Sequence, residues 1–179
     1  MKILKKILLF IVVIVAIALI AALFISKEMK AEREIVINKP KQQVFEYIKY
    51  VKNQDNYSKW NKMDPGMKKS YSGTDGTVGF SYSWDSEKGE VGKGSQTITA
   101  IKEGERMDCD LHFLKPFESK AKTYFATTAV NDSTTKVTWA FDSKMPYPFN
   151  LMKLFMNMEK AIGDDFSTGL TNLKAVLEK

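Results

Sequence analysis

Few side chains in this sequence have types that could do chemistry, and each has an ordinary explanation beside it. His112 is the single imidazole, the one side chain whose ordinary pKa lies near neutrality. It alternates in step with Asp108 and Asp110, opposite Met107, Cys109, Leu111 and Phe113, so a strand there turns it toward water. Cys109, the only cysteine, falls on the apolar side and reads as an inert buried thiol, since nothing near it in sequence is electropositive. A lone cysteine also forms no intramolecular disulfide and leaves the redox compartment open. Asp164 and Asp165 are adjacent carboxylates, but neighbours on a helix point in different directions, and both are expected to face solvent. The stretches from Gly73 to Gly79 and from Gly89 to Gly94 lack the lysine and hydroxyl of a phosphate-binding loop, and hairpin turns account for them. No catalytic residue, metal-ligand set or cofactor motif emerges.

The aromatic set says more. Phe80, Tyr82, Trp84, Phe113, Tyr124, Trp139 and Phe141 lie in strand-like segments, while Phe155 and Phe166 lie on the apolar stripe of a C-terminal helix. These nine are the candidates for the walls of a ligand cavity, because small-molecule sites are mostly apolar with a few polar tips. The same residues could equally form an ordinary packed core. Met145, Met152, Met156 and Met158 cluster near the start of that helix, where flexible thioethers suit gap-filling or a pocket mouth.

The elements that must position these residues follow from periodicity. Glu34 to Ile37 is a β-branched run, read as a first strand. Pro40 opens a helix whose apolar face is Val44, Phe45, Ile48 and Val51, and the polar stretch from Asn53 to Ser58 is expected to end it. From Val78 to Trp84, Ser95 to Ile101, Met107 to Phe113, Ala121 to Val130 and Val137 to Phe141 the pattern is that of strands, largely by alternation. Met145-Pro146-Tyr147-Pro148 is a stiff lead-in, after which Leu151, Leu154, Phe155 and Met158, then Ile162, Phe166, Leu170, Leu173 and Val176, form one helical stripe. Gly163 and Gly169 weaken that helix by roughly 1 kcal/mol each, which close packing of helix on sheet would explain. The sum is an α+β domain of about six or seven antiparallel strands.

Ahead of this domain, every residue from Ile7 to Ile25 is apolar. At about 1.5 Å per residue such a run matches the roughly 30 Å core of a bilayer, where only a helix satisfies its own backbone. It exceeds the usual signal-peptide core, and no small-residue cleavage site follows it, so an uncleaved anchor is favoured over a signal peptide. The expected organisation is a basic tail over 1–6, a membrane span over 7–26, a linker over 27–31 and one domain over 32–179. Lys2, Lys5 and Lys6 favour a cytoplasmic N-terminus and a domain outside the cytoplasm. They also account for part of the +6 net charge. Only Arg33 and Arg106 are arginines and lysines mix with acids, so nucleic-acid binding is not expected. The oligomeric state is left open.

The order strand, helix, many strands, long helix resembles the SRPBCC superfamily, the START/Bet v 1-like helix-grip proteins that include polyketide cyclase-like members. The likeness covers nearly all of 32–179. It rests on Ile35 to Pro40 with Val44-Phe45, on Trp60, on Gly94 to Ile98, and on the ending from Ile162 to Lys174. The resemblance implies a curved antiparallel sheet around the C-terminal helix, with a cavity between them for a hydrophobic or amphipathic molecule: lipid-like, quinone-like or polyketide-like. A cyclase- or dehydratase-like enzyme using Tyr82, Tyr124 or an inward carboxylate is the alternative, as is a structural or stress-related domain with a filled interior. The oxygenase branches of the superfamily need two histidines and a carboxylate around a metal, which one histidine cannot supply.

Overall fold

A computed structural model describes residues 2–179. The apolar run lies within a helix, α1 (Lys2–Phe24), whose residues are almost all exposed, as a membrane-crossing helix would be without its lipid. After Ser26 the chain enters the sheet at once. Strand β1 spans Glu28–Ile37, so the stretch read as a linker over 27–31 is largely strand, with Glu28 opposite Lys144 and Ala31 opposite Phe141. Its charged side chains mark an outward face, not a flexible connection.

Helix α2 (Lys41–Ile48) follows, with Pro40 as its N-cap and Val44, Phe45 and Ile48 buried. That helix ends at Ile48, before the polar stretch expected to end it, and Val51, expected on its apolar face, opens a separate 3-10 turn (Val51–Asn53). The polar stretch itself forms a short helix, α3 (Gln54–Tyr57), with α4 (Lys59–Met63) next. Six further strands complete the sheet: β2 (Lys68–Ser72), β3 (Ser81–Asp85), β4 (Lys93–Lys102), β5 (Arg106–Lys115), β6 (Ser119–Asn131) and β7 (Thr134–Lys144). Their order is β1-β7-β6-β5-β4-β3-β2, and every neighbouring pair is antiparallel. Strand β2 has no apolar alternation to announce it: its five residues are polar or tyrosine, at the sheet's edge.

A 3-10 turn (Phe149–Leu154) separates the sheet from helix α5 (Met158–Leu177). The expected stripe from Leu151 is therefore broken, and the helix starts where the Asn157 side chain accepts a hydrogen bond from the Lys160 amide at 2.9 Å, satisfying one of the donors that a helix start leaves free. Phe166, Leu170, Leu173 and Leu177 bury one face of α5. Both α5 glycines are places of close approach. A Cβ on Gly169 would lie 2.7 Å from the Trp139 ring, and one on Gly163 would lie 2.1 Å from the Arg33 guanidinium. Trp139 stacks on Phe166 at 4.3 Å between centroids, with Trp60 edge-on to both. This cluster joins α5, the sheet and α4 along one side of an interior that is not filled.

A candidate ligand cavity between the sheet and the C-terminal helix

Between the sheet and α3, α4 and α5 lies a cavity of about 350 Å³, within the size range of small-molecule sites. Alternation decides which strand residues reach it. Tyr82 and Trp84 of β3, Phe113 of β5, Trp139 and Phe141 of β7, and Phe166 of α5 all line it. Trp84 is held by its indole N–H, which donates to the Val91 carbonyl at 3.2 Å, and Trp139 donates to Thr123 Oγ1 at 3.2 Å. The Thr123 hydroxyl in turn donates to the Ala140 carbonyl at 2.8 Å.

Three of the nine candidate residues are not on this wall. Phe80 is buried, but it precedes β3 and stacks on Tyr71 of β2, away from the cavity. Tyr124 lies on the outer face of β6, where its hydroxyl donates to Glu32 Oε2 at 2.8 Å and the Arg106 guanidinium covers its ring at 3.6 Å. Because Ala121, Thr123 and Phe125 face inward, the residue between the last two must face out. Phe155 is 85% exposed, because the helix that would have turned it inward starts three residues later.

The wall also holds polar residues that strand alternation alone does not reveal. Gln54, Ser58 and Asn61 descend from α3 and α4, Gln96 rises from β4, and all four are buried. Their spacing of four and then three is the helical signal that could have found the first three; Gln96 shares parity with Ile98. Asn61 Nδ2 donates to Asp55 Oδ1 at 2.6 Å and to the Tyr82 hydroxyl at 3.3 Å. Gln96 Nε2 meets Cys109 Sγ at 3.4 Å. Burial pushes the Tyr82 phenol well above its ordinary pKa, so it stays protonated and can donate. Burial likewise pushes the Cys109 thiol up to about 12, and the sulfur lies behind the wall, out of the cavity.

Charge is confined to the rim. Asp165, expected to face solvent, borders the cavity and is engaged by the Lys59 ammonium, whereas Asp164 pairs outside with Lys160 at 2.6 Å. Glu90 and Lys115 are the other charged residues on the lining, and both are exposed. His112 makes a 3.0 Å contact with Glu118 on the outer face. Among the described residues there is no cluster of three or more potential metal ligands.

The exposed lining residues, Gly89, Glu90, Lys115, Pro116 and Ala161, mark the mouth. They lie in the β3–β4 and β5–β6 turns and the first turns of α5. Strand register puts that mouth at one end of the sheet, where Asp85 faces Lys93, Lys93 faces Lys115, and Lys144 faces Glu28. The same end receives the chain from α1.

A curved antiparallel sheet closed over a cavity by a long C-terminal helix defines the helix-grip class of SRPBCC domains. Within that class the chain belongs to the family described as polyketide cyclase / dehydrase and lipid transport, whose sequence profile matches residues 28–178. Solved structures share the fold at low identity. Norcoclaurine synthase from Thalictrum flavum, in complex with dopamine and hydroxybenzaldehyde, is 9% identical with a TM-score of 0.63, covering 85% of this chain and 87% of its own. A protein from Mesorhizobium loti is 11% identical with a TM-score of 0.60, over 84% and 97% of the two chains. DynU16, from the dynemicin biosynthetic locus, is 14% identical with a TM-score of 0.58; the match covers 84% of this chain and 47% of that one. No curated protein matches the chain.

Proposed function

We propose that this protein is a membrane-tethered binding module that takes up a hydrophobic or amphipathic small molecule with an uncharged, hydrogen-bonding head. The observation that carries this reading is the division of the cavity wall. Apolar side chains, many of them aromatic, form most of it, Gln54, Ser58, Asn61, Gln96 and the Tyr82 hydroxyl supply neutral donors and acceptors, and charge is confined to the rim. An ionised head taken inside would meet no free counter-charge and would bear the cost of desolvation. A lipid-like, quinone-like or polyketide-like molecule with hydroxyl or carbonyl groups suits such a wall. The family description, which joins cyclases with lipid transport, is consistent with either use. The open interior argues against a domain whose cavity is filled. The apolar α1 supports tethering, and Lys2, Lys5 and Lys6 favour a cytoplasmic N-terminus with the domain outside the cytoplasm.

The test is native mass spectrometry with solvent extraction on the full chain in mild detergent, beside the double variant Tyr82→Phe/Gln96→Leu. A stoichiometric neutral amphipath that the variant retains at least about tenfold less well supports the reading, since lost hydrogen bonds at a buried head are worth roughly 1–2 kcal/mol or more. A folded chain that is empty and binds none of the neutral amphipaths offered to it sinks the reading.

The second reading, a cyclase- or dehydratase-type reaction, is favoured by one observation: the protonated Tyr82 phenol and the Asp165 carboxylate border the same cavity. It requires turnover of an extracted ligand that Asp165→Asn abolishes while binding persists.

A further inference from the structure

The C-terminal end of α1 is clasped by the domain. Asn150 is wholly buried, and its side-chain amide donates to the carbonyls of Ala22 at 2.7 Å and Ile25 at 2.8 Å. The last carbonyls of a helix have no partner within it, so Asn150 caps α1 from outside. Lys153 continues the clasp, donating to the Ser26 carbonyl at 3.0 Å and the Glu28 carbonyl at 2.7 Å. Ala22 precedes Ile25 by three residues, about 4.5 Å along a helix, and both belong to the apolar run. The turn that carries Asn150 is therefore fixed level with the last turn of that run, not beyond it. Around this turn Phe149, Leu154 and Phe155 are 62%, 63% and 85% exposed. Neighbouring large apolar side chains exposed together mark a surface made to meet something other than water.

We infer that residues 147–156 form an interfacial foot that lies in the headgroup–acyl boundary of the bilayer, with Phe149, Leu154 and Phe155 in its apolar layer. The inference rests on α1 being a retained span, as the proposed function has it. The occupant is the lipid itself, because the segment is hydrogen-bonded to carbonyls of a helix whose surroundings, at that depth, are lipid. The cavity mouth opens at the same end of the sheet. Phe117, 79% exposed and next to the mouth residues Lys115 and Pro116, is a second tip at that end. The foot holds the mouth against the membrane, so an apolar ligand passes between bilayer and cavity without crossing water.

The test uses the full chain in phosphatidylcholine nanodiscs, with single substitutions Phe155→Cys, Phe117→Cys and Ser133→Cys labelled with bimane. Ser133 lies in the β6–β7 turn at the far end of the sheet, and native Cys109 is buried. The readout is quenching by lipids that carry a nitroxide near the headgroup end of the acyl chain. The expected result is quenching at 155 at least roughly threefold above that at 133, as for a residue seated in the interface, with 117 also above 133. Quenching at 155 no greater than at 133 overturns the foot. Quenching at 155 with 117 at the level of 133 keeps the foot and overturns the placement of the mouth. A chain recovered from a membrane-targeting host already lacking α1, as after signal-peptide cleavage, overturns anchor and foot together. The measurement needs no ligand, so an empty cavity leaves it unchanged, and a failed foot leaves ligand retention standing.

Discussion

Tyr57 sits at the centre of the core with its ring edge-on to Phe125 and Trp139, at 6.2 and 6.1 Å between centroids. Its buried hydroxyl has no hydrogen-bond partner. Leaving such a group unpaired costs roughly 1–3 kcal/mol, so Tyr57→Phe is expected to raise stability by about 1 kcal/mol. A higher denaturation midpoint with an unchanged slope would show it. Cys109 makes the complementary prediction with pH. Its thiol ionises near 9.0 when free and only at about 12 in the fold. The unfolded chain therefore loses that proton first, and stability present below pH 9 falls as pH rises toward 12. Between pH 9 and 10 the fall is about 1 kcal/mol, and Cys109→Ala removes it. The buried tyrosines, whose raised values start from 10.0, add their loss mainly above that window. A wild-type stability profile that stays flat from pH 8 to 10 would refute this.

At the scale of elements, two glycines bring α5 close to the sheet, but only one of them against a rigid neighbour. Gly169→Ala gains up to about 1 kcal/mol of helix propensity, yet its methyl would press on the Trp139 ring, which Phe166 stacks from the α5 side. The net expectation is a loss of roughly 1–3 kcal/mol, as for other overpacked cores, and a cavity with one wall displaced. Gly163→Ala meets the Arg33 guanidinium instead. That side chain is flexible and partly exposed, and its 2.7 Å pair with Glu159 can reform elsewhere, so this substitution is expected to stay within about 0.5 kcal/mol of wild type. Thermal melts of the two variants side by side distinguish a rigid contact from a yielding one.

For the whole molecule, the sheet receives the chain from α1 at the end where the cavity opens, so under the proposed function a tether would act on delivery and not on the pocket itself. Removing residues 1–25 is expected to leave the affinity for an extracted ligand within about twofold, while loading from vesicles slows by roughly tenfold or more, because the tether supplies the effective concentration. Transfer kinetics of a fluorescent neutral amphipath check both halves. Equal loading with and without α1 would show that the tether has no part in capture.

Much of this was legible in the chain because it is local. Nineteen consecutive apolar residues from Ile7 to Ile25 mark a helix fit for a bilayer by length alone. Alternation fixes which face Tyr82, Trp84, Phe113, Trp139 and Phe141 take, because a strand reverses its side chains at every residue. The same rule turns Tyr124 outward, because Thr123 and Phe125 on either side of it face the cavity. Phe155 lies outside the helical stripe because the helix begins only after Asn157, whose side chain caps it. Strand β2 left no trace, since five polar or tyrosine residues acquire strand geometry only by pairing with β3. What the fold alone decided is what joins residues far apart in the chain. Gln54, Asn61 and Gln96 become the polar wall of one cavity, and Asp165 becomes its rim through Lys59. Asn150 reaches back across 128 residues to the carbonyl of Ala22. Periodicity reports a residue's own element and face; which faces meet, and whether the space between them fills, is set by the packing of the closed chain.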